Sequence, residues 1–440
     1  MPRVLAGALA FVLLVIPFEA QQLPHVVLVS IDGLLPSTYT KPGPPNAPVV
    51  RKLAAEGSAA DGVIGVTPTV TFPSHTTMIT GVPPAVHGIV DNRIVDAESR
   101  SRGAWFWYAR EMRVPSLIGA ARAQNLVTAA VNWPVTIGAD AHYLVPEFER
   151  SPHAEGRYML DAISTPGLLR AVEIARGRPL PWPFDDEART DITRHLLATY
   201  RPQLTVLHLL AVDGAQHDHG PGSPEAIRAV EGVDRQLGRL VATLDETGLR
   251  PNTLIVVVSD HGFLPYERVL NPNALFKREG LLRVNADGTI ASWDAYFHSA
   301  GGAGFVYLRD GADTALRTRV QSLLAGLRDG PDASVQNLWT SADLTRIGAH
   351  PQAAFGLDVR NGWYTGSGHE TLVTTVPSVR GGHGYAPERQ ELHASLVMNG
   401  PGIRRGSLGV VRMTQIAPTI ARILGLTLSP KADTPLTIGS

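Results

Sequence analysis

The sequence contains no cysteine, and it has almost equal numbers of basic and acidic residues. Disulfides, thiolate metal ligands and lipid-modified cysteine are therefore excluded, so that any bound metal must be held by histidine and carboxylate side chains. The 39 basic and 40 acidic residues give a formal net charge of −1. No net positive charge is available to bind a phosphate backbone, and a polymeric nucleic-acid partner is not implied.

Long apolar runs are absent except near the start of the sequence. Arg3 precedes an apolar stretch from Leu5 to Phe18, and Glu19-Ala20 then leads into polar residues. This pattern predicts a signal peptide over residues 1–20, cleaved near Ala20, and export to the periplasm or the medium. An uncleaved membrane anchor is the alternative, but the apolar stretch is short for one, and no stable membrane anchor is expected.

Four apolar, β-branched runs indicate buried strands. They cover residues 25–31, 204–212, 254–259 and 392–399. Helical stretches lie between them, at 47–56, 116–124, 225–246 and 413–424. Continuous apolar strands alternating with helices predict an α/β sandwich around a mostly parallel sheet. Residues 21–440 are expected to form one catalytic domain, with a small α+β insertion over residues 264–380 that contains a strand at 306–308 and a helix at 313–327.

Three of these runs are followed directly by an acidic residue, namely Asp32, Asp213 and Asp260. Ligands of open α/β sheets bind outside the carboxyl ends of the strands, so we expect these three side chains to lie close together. The alternative is that each aspartate only caps an Asp-Gly or Asp-His turn.

Three histidines accompany these aspartates. His217 follows Asp213 by four residues, His261 follows Asp260 directly, and His383 lies in a Gly-Gly-His-Gly segment, where glycine lets the backbone approach a crowded site. Six imidazole and carboxylate groups predict a metal centre. They suit zinc, with manganese and iron as open alternatives.

Thr71 is the candidate nucleophile. It precedes a predicted helix over residues 72–80, with Pro73 in the first turn. The positive end of the helix dipole favours anion binding there, and a metal bound to the hydroxyl would lower its pKa. The alternative is that Thr71 is only a helix N-cap.

At this point the residues resemble the nucleotide pyrophosphatase/phosphodiesterase family of the alkaline phosphatase superfamily. The resemblance extends from about Val26 to Leu424. It rests on six motifs in matching order: VSIDG at 29–33, TFPSHTTMITG at 71–81, HGIVDN at 87–92, VDGAQHDHGP at 212–221, SDHGF at 259–263 and GGHGY at 381–385.

The resemblance implies an alkaline-phosphatase-like three-layer sandwich that holds two zinc ions. Asp213, His217 and His383 would bind one ion, and Asp32, Asp260 and His261 would bind the other, with Thr71 reaching it as the nucleophile. Asn92 would bind a phosphoryl oxygen, and Phe72 would lie beside the substrate. Two positions depart from the family pattern: Ser74 replaces the usual asparagine, and Gln216 replaces the usual glycine.

The expected activity is hydrolysis of phosphodiester or pyrophosphate bonds in a small nucleotide or other diester through a phosphothreonine intermediate. A phosphate monoesterase needs an additional cation near its substrate. The four lysines lie outside the motifs, which leaves Arg110, Arg157 and Arg389 as candidates for that cation. A monoesterase or phosphonoacetate hydrolase of the same superfamily is the alternative, and a non-catalytic metal-dependent binding protein a further one. A sulfatase is disfavoured because its usual cysteine-derived nucleophile is absent.

Aromatic side chains are the candidates for stacking on a nucleobase. They are Trp105, Trp107, Trp133 and Tyr158. Packing in the core is the alternative role for each of them.

Overall fold

The computed structural model describes residues 24–98, 100, 104–148, 153–330 and 333–439. The predicted signal peptide, residues 1–20, lies outside the described residues. Within the described part of the chain, no helix combines the length and apolar character needed to span a membrane.

Nineteen strands are found in the described residues. In chain order they are β1 His25–Ile31, β2 Ser58–Ala59, β3 Gly62–Ile64, β4 Thr128–Val131, β5 Tyr143–Val145, β6 Leu204–Leu209, β7 Thr253–Val258, β8 Leu264–Leu270, β9 Leu282–Val284, β10 Ile290–Trp293, β11 Ala295–Ser299, β12 Ala303–Leu308, β13 Val335–Thr340, β14 Phe355–Val359, β15 Gly362–Thr365, β16 Val373–Gly382, β17 Leu396–Asn399, β18 Gly406–Ser407 and β19 Val410–Arg412.

Fourteen α-helices accompany these strands in the same residues. They are α1 Ser37–Thr40, α2 Pro48–Glu56, α3 Thr71–Thr80, α4 Pro84–His87, α5 Leu117–Ala123, α6 Ala154–Ile163, α7 Leu168–Arg176, α8 Asp186–Tyr200, α9 Ala211–His219, α10 Pro224–Glu246, α11 Pro272–Arg278, α12 Thr314–Asp329, α13 Ser341–Arg346 and α14 Ile416–Leu424.

The central sheet has eight strands in the order β18-β2-β17-β7-β1-β6-β4-β5. The five strands from β7 to β5 are parallel to one another, whereas β17 runs antiparallel to β7. The sheet is therefore mostly parallel, as predicted. The predicted fourth strand is shorter than expected, because residues 390–392 form a 3₁₀ turn and Ala394 bridges to Val63 before β17 begins.

Both faces of this sheet are covered by helices. Along β1, Val26 and Leu28 pack with α3, α5 and α14, whereas Val27 and Val29 pack with α2, α7, α8 and α10. Successive side chains of a strand point to opposite faces, so one apolar strand serves two cores. The result is the predicted three-layer α/β sandwich.

The run at residues 204–212, predicted to be one strand, ends earlier. Strand β6 stops at Leu209, and α9 begins at Ala211. The Asp186 carboxylate accepts hydrogen bonds from the backbone N–H groups of Leu210 and Ala211, at 2.9 Å each, and so satisfies groups at the start of the helix. Asp213 and His217 consequently lie on one helix, one turn apart.

Residues 264–382 form smaller sheets outside the central one. Strands β11, β12, β14 and β13 make an antiparallel sheet next to α12, and β8 pairs with β15 and β16. The helix predicted at 313–327 is α12, and Asp313 caps it by accepting from the Leu316 N–H group at 2.9 Å. These elements share an apolar core of their own. The boundaries 264–380 and the division into domains stay predictions.

Candidate metal centre and adjoining cavity

Asp32, Asp260 and His261, here called the inner set, converge at the carboxyl ends of β1 and β7. The His261 Nε2 atom lies 3.4 Å from Asp32 Oδ1 and 3.2 Å from Asp260 Oδ2. All three residues are buried. Parallel neighbouring strands thus bring together residues more than 200 positions apart in the sequence, as predicted.

Several polar atoms of the inner set are buried without a hydrogen-bond partner among the described residues. They are Asp32 Oδ1, Asp260 Oδ2 and both ring nitrogens of His261. The other oxygen of Asp260 accepts from the N–H groups of Gly33 and His261, at 3.1 and 3.2 Å. Buried polar atoms are costly when they are not paired. The unpaired oxygens and imidazole nitrogen together suit a divalent cation.

Asp213, His217 and His383, here called the outer set, lie beside the inner set. His217 Nε2 is 3.3 Å from Asp213 Oδ1 and 3.1 Å from His383 Nε2. The Nδ1 atoms of His217 and His383 donate to the backbone carbonyls of Gly381 and Thr69, at 3.0 and 2.9 Å. This pairing leaves Nε2 of each ring as the nitrogen able to bind a metal, which is the usual arrangement of ligating histidines.

The two sets form one centre. The rings of His261 and His383 stack with their centroids 3.6 Å apart. Candidate ligand atoms within 4.8 Å of one another form two groups, Asp32 with Asp260 and His261, and Asp213 with His261 and His383. His261 therefore lies between the sets. The side chains of all six predicted ligands lie close together, and these residues could hold metal ions.

Burial and mutual repulsion shape the protonation of the carboxylates. Burial, together with the charges of Asp213 and Asp260, raises the pKa of Asp32 well above its ordinary value. Burial likewise raises the pKa of Asp260. Burial is the largest single influence on Asp213 and opposes its ionisation, but the hydrogen bond from His217 and the charges of His217, His383 and His261 together outweigh it and lower the Asp213 pKa to about 2. Two crowded, buried carboxylates whose ionised forms are disfavoured gain stabilisation from a nearby cation.

Burial has the opposite consequence for the histidines, because it disfavours their charged form. It lowers the pKa of His261 and of His383 to about 3. Neutral imidazole is the form that binds a metal ion, so both rings are ready to do so at neutral pH.

Thr71 is the first residue of α3, and Val70 occupies the N-cap position in extended conformation. The Thr71 carbonyl accepts a hydrogen bond from His75 Nδ1 at 2.8 Å, one turn further along the helix. The hydroxyl is thus carried at the positive end of a ten-residue helix, where negative charge is stabilised.

Asn92 is attached to the same helix end. Its Oδ1 atom accepts from the backbone N–H group of Phe72 at 2.7 Å. Because a backbone N–H group can only donate, the carbonyl oxygen of Asn92 must face the helix. The Asn92 amide nitrogen is thereby left as a donor for another group.

A cavity of about 490 Å³ adjoins the outer set. It is lined by Val70, Asp91, Asn92, Arg93, Ile94, Asp96, Trp105, His217, Tyr296, His298, Ser299, Ala300, Gly301, Tyr364, Ser367 and His383. Trp105 is the predicted stacking residue found there. Phe72 is buried and packs against Trp105 and Trp107, with ring centroids 5.1 and 5.6 Å apart. Phe72 is not among the lining residues of this cavity, and its contact with substrate stays a prediction.

Other predicted candidates lie away from this cavity. Trp133 is buried against His75, and Tyr158 is exposed on α6. Of the candidate clamp residues, Arg389 pairs with the buried Asp358 at 2.6 Å, Arg157 pairs with Glu173, and Arg110 lies over Tyr108. The cavity-lining arginine is instead Arg93, 5.5 Å from the centre of the Trp105 ring.

Sequence reasoning missed the polar residues around the ligands. His208 contacts Asp32, and Asp91 and His298 line the cavity with Oδ2 and Nε2 3.5 Å apart. The available signal at His208 was an ionisable residue inside an apolar strand run, which needs a polar partner when buried.

The glycines around His383 permit the predicted close approach. Gly384 has φ of +89°, and a Cβ atom there would lie 1.9 Å from the Ala300 carbonyl oxygen. A Cβ atom at Gly382 would lie 2.5 Å from the Tyr364 ring. Only glycine fits either position.

A family model covers most of the chain. The chain belongs to the type I phosphodiesterase/nucleotide pyrophosphatase family, whose model matches residues 26–386. The family comprises hydrolases that act on phosphodiester bonds and depend on metal ions.

Curated relatives match over part of their length. Mouse ectonucleotide pyrophosphatase/phosphodiesterase family member 1 is 27% identical over 249 residues, which cover 54% of this chain and 24% of that protein. The venom phosphodiesterase CdcPDE of Crotalus durissus collilineatus is 26% identical over 258 residues, which cover 56% of this chain and 27% of that protein. The matched segments thus span about a quarter of these relatives.

Solved structures match over nearly the whole chain. Human ectonucleotide pyrophosphatase/phosphodiesterase 5 has a TM-score of 0.66 at 18% identity, with 94% of this chain and 97% of that chain covered. The murine counterpart, an inactive variant in complex with AMP, has a TM-score of 0.66 at 19% identity and the same coverage. At this identity the likeness establishes the alkaline-phosphatase-like fold.

Proposed function

We propose that this chain is a two-zinc phosphodiesterase/nucleotide pyrophosphatase that uses Thr71 as its nucleophile. The observation that carries the proposal is the convergence of six imidazole and carboxylate groups, with several of their buried atoms left unpaired. Helix α3 reaches this group through His75, whose Nδ1 atom lies 3.7 Å from Asp260 Oδ2 and 2.8 Å from the Thr71 carbonyl oxygen. Zinc is preferred because its usual ligands are histidine nitrogen and carboxylate oxygen. Bound there, two divalent ions would lower the pKa of the Thr71 hydroxyl and balance charge on the attacking and leaving oxygens.

The reaction proceeds in two displacements. The Thr71 hydroxyl gives up its proton as its oxygen forms a bond to phosphorus, the bond from phosphorus to the leaving oxygen breaks, the leaving oxygen takes up a proton or departs as an anion, and the phosphorylated threonine results. A water oxygen then forms a bond to the same phosphorus, the bond to Thr71 breaks, and the threonine takes a proton. The positive end of α3 favours the anionic phosphoryl group in both steps.

Asn92 and the cavity orient the substrate. The Asn92 amide nitrogen donates to a non-bridging oxygen, whose charge must be balanced in the transition state. The cavity next to His217 and His383 holds the remainder of the substrate, and Trp105 in its wall is the candidate for contact with a nucleobase. The murine relative solved with AMP supports a nucleotide as the substrate class.

Hydrolysis of diesters and pyrophosphates is favoured over that of monoesters. The arginines considered for a monoester clamp, Arg110, Arg157 and Arg389, are engaged elsewhere. Arg93 lines the cavity and is the arginine that could serve as the additional cation of a monoesterase. The monoesterase alternative is therefore tested directly. A panel of rates on nitrophenyl phosphate, bis(nitrophenyl) phosphate and the nitrophenyl ester of thymidine monophosphate, with and without a chelator, separates the two activities.

The nucleophile is tested by replacing its hydroxyl. Thr71→Ala is expected to abolish diester turnover while the protein still binds its metal ions, measured by elemental analysis of the purified variant. Thr71→Ser retains a hydroxyl and is the matched control, expected to keep measurable turnover. Substantial diesterase activity in the alanine variant refutes the role of Thr71.

Export is part of the proposal. The relatives matched here are named as ecto-enzymes and venom enzymes, and residues 1–20 carry the predicted signal peptide. N-terminal sequencing of the protein recovered outside the cytoplasm is expected to begin near Gln21. Recovery of the intact Met1 end in the cytoplasm refutes export.

A further inference from the structure

His208 is a buried histidine whose two ring nitrogens each face a carboxylate. Nε2 lies 3.2 Å from Asp32 Oδ2, and Nδ1 lies 3.2 Å from Glu147 Oε2. The ring is fully buried in β6. The ring is therefore held by a carboxylate on each side.

The sheet fixes this ring in position. Strand β6 is parallel to β1, with His208 opposite Ser30, so that the histidine lies beside the strand end that carries Asp32. The ring of His75, on α3, packs against it with centroids 4.1 Å apart. Glu147 follows the edge strand β5 and approaches from the other side. The imidazole therefore has little freedom to turn.

The two carboxylate oxygens of Asp32 have different surroundings. Oδ2 is occupied by His208, whereas Oδ1 has no hydrogen-bond partner among the described residues and lies 3.4 Å from His261 Nε2. Asp260 shows the same division, because its Oδ1 accepts two backbone N–H groups and its Oδ2 is left for another partner. Each inner carboxylate thus presents one oxygen to the centre of the inner set.

We propose that Glu147 and His208 form a buried positioning chain that orients Asp32, so that Oδ1 faces the metal held by the inner set. Neither residue lines the cavity next to His217 and His383. Hydrogen-bonded groups behind metal ligands fix the orientation of the ligand and its affinity for the metal. The inference rests on the proposed function only for the presence of metal ions.

The experiment measures metal affinity, which requires no turnover. Metal-free full-length protein is titrated with Zn²⁺ in competition with a chromophoric chelator, and with Co²⁺, whose visible absorption reports ligand geometry. His208→Leu is expected to weaken one of the two bound equivalents by about 10–100-fold and to leave the other within about twofold. Glu147→Gln, at a partly exposed position, is expected to weaken the same equivalent by up to about tenfold.

His87→Leu is the matched control. His87 is also fully buried, and its ring contacts Thr77 and the Ile89 N–H group instead of any candidate ligand. The loss of a buried imidazole is therefore similar, but both metal affinities are expected to remain unchanged.

The outcomes separate this inference from the proposed function. Wild-type protein that binds no divalent ion overturns both. Two equivalents that bind with wild-type affinity and an unchanged Co²⁺ spectrum in folded His208→Leu overturn the positioning chain alone. If circular dichroism shows that His208→Leu is unfolded, His208→Gln and Glu147→Gln decide in the same way.

Discussion

The inner and outer sets of candidate ligands differ in how the fold holds them. The inner side chains of Asp32, Asp260 and His261 are 4%, 0% and 0% exposed, whereas those of Asp213, His217 and His383 are 23%, 34% and 8% exposed. The inner set follows two central strands, and the outer set comes from α9 and the segment after β16. The fold therefore builds a buried half and a half that faces the cavity.

Removing one ligand from each set has the largest expected effect on this comparison. Asp260→Asn and His217→Ala are each expected to lower kcat/KM by about a thousandfold, which corresponds to about 4 kcal/mol. Asp260→Asn is expected to lose the inner ion, and His217→Ala to weaken only the outer one, as measured by metal content after dialysis. Asp218→Ala, beside His217 on the exposed face of α9, is the control. If His217→Ala loses both ions, the two sets do not bind their ions independently of each other.

Metal affinity at the two sets is expected to depend differently on pH. The raised pKa values of Asp32 and Asp260 mean that these carboxylates must release protons before they bind an ion. Inner-set affinity is therefore lost as pH falls, by up to about tenfold per pH unit for each proton released.

The outer carboxylate behaves differently, because Asp213 has a pKa of about 2 and is already ionised. Its neighbour His217 has a raised pKa, because the Asp213 hydrogen bond and charge outweigh burial, so one proton is released there. Zn²⁺ titrations of His217→Ala and Asp260→Asn at several pH values isolate the inner and outer sets. If Zn²⁺ affinity falls with the same slope at acid pH in both variants, the expected difference between the inner and outer sets is wrong.

The backbone around the outer set gives a smaller effect. Gly384→Ala is expected to destabilise the fold by more than about 2 kcal/mol, because the new Cβ atom meets the Ala300 carbonyl in addition to the cost of positive φ. Gly402→Ala also has positive φ but meets no atom within 4 Å, and is expected to cost about 1–2 kcal/mol. Urea unfolding of the two variants measures the difference. If both variants lose the same free energy of unfolding, the contact between the added Cβ atom and the Ala300 carbonyl does not affect stability.

Trp105 at the cavity gives the smallest expected effect. Trp105→Ala is expected to raise KM for a thymidine diester by about tenfold, as removal of a stacking partner costs about 1–3 kcal/mol. The rate on a methyl nitrophenyl diester, which has no nucleobase, is the internal control and is expected to change little. Equal effects on both substrates indicate that Trp105 supports Phe72 and not a base.

Local patterns in the sequence were enough to predict the sandwich and the convergence of the six candidate ligands. Apolar β-branched runs marked buried strands, and the aspartates lay at their carboxyl ends. The helical position of Asp213 was not predictable, since α9 begins where Asp186, some 25 residues earlier, caps it. The roles of His208 and Glu147 depend on which strands are neighbours, and the order of strands in a sheet is not written in any one segment.

The ligands enclose the segment from β8 to β16. Asp260 and His261 precede it, and His383 follows it, so a stretch of roughly 120 residues begins and ends at the same candidate metal centre. A bound ion therefore acts as a cross-link that closes a long loop, which lowers the entropy of the unfolded chain most when the loop is long. The same arrangement limits how this segment can diverge: its outer sheets are free to vary, but its two ends must stay within ligand distance of each other.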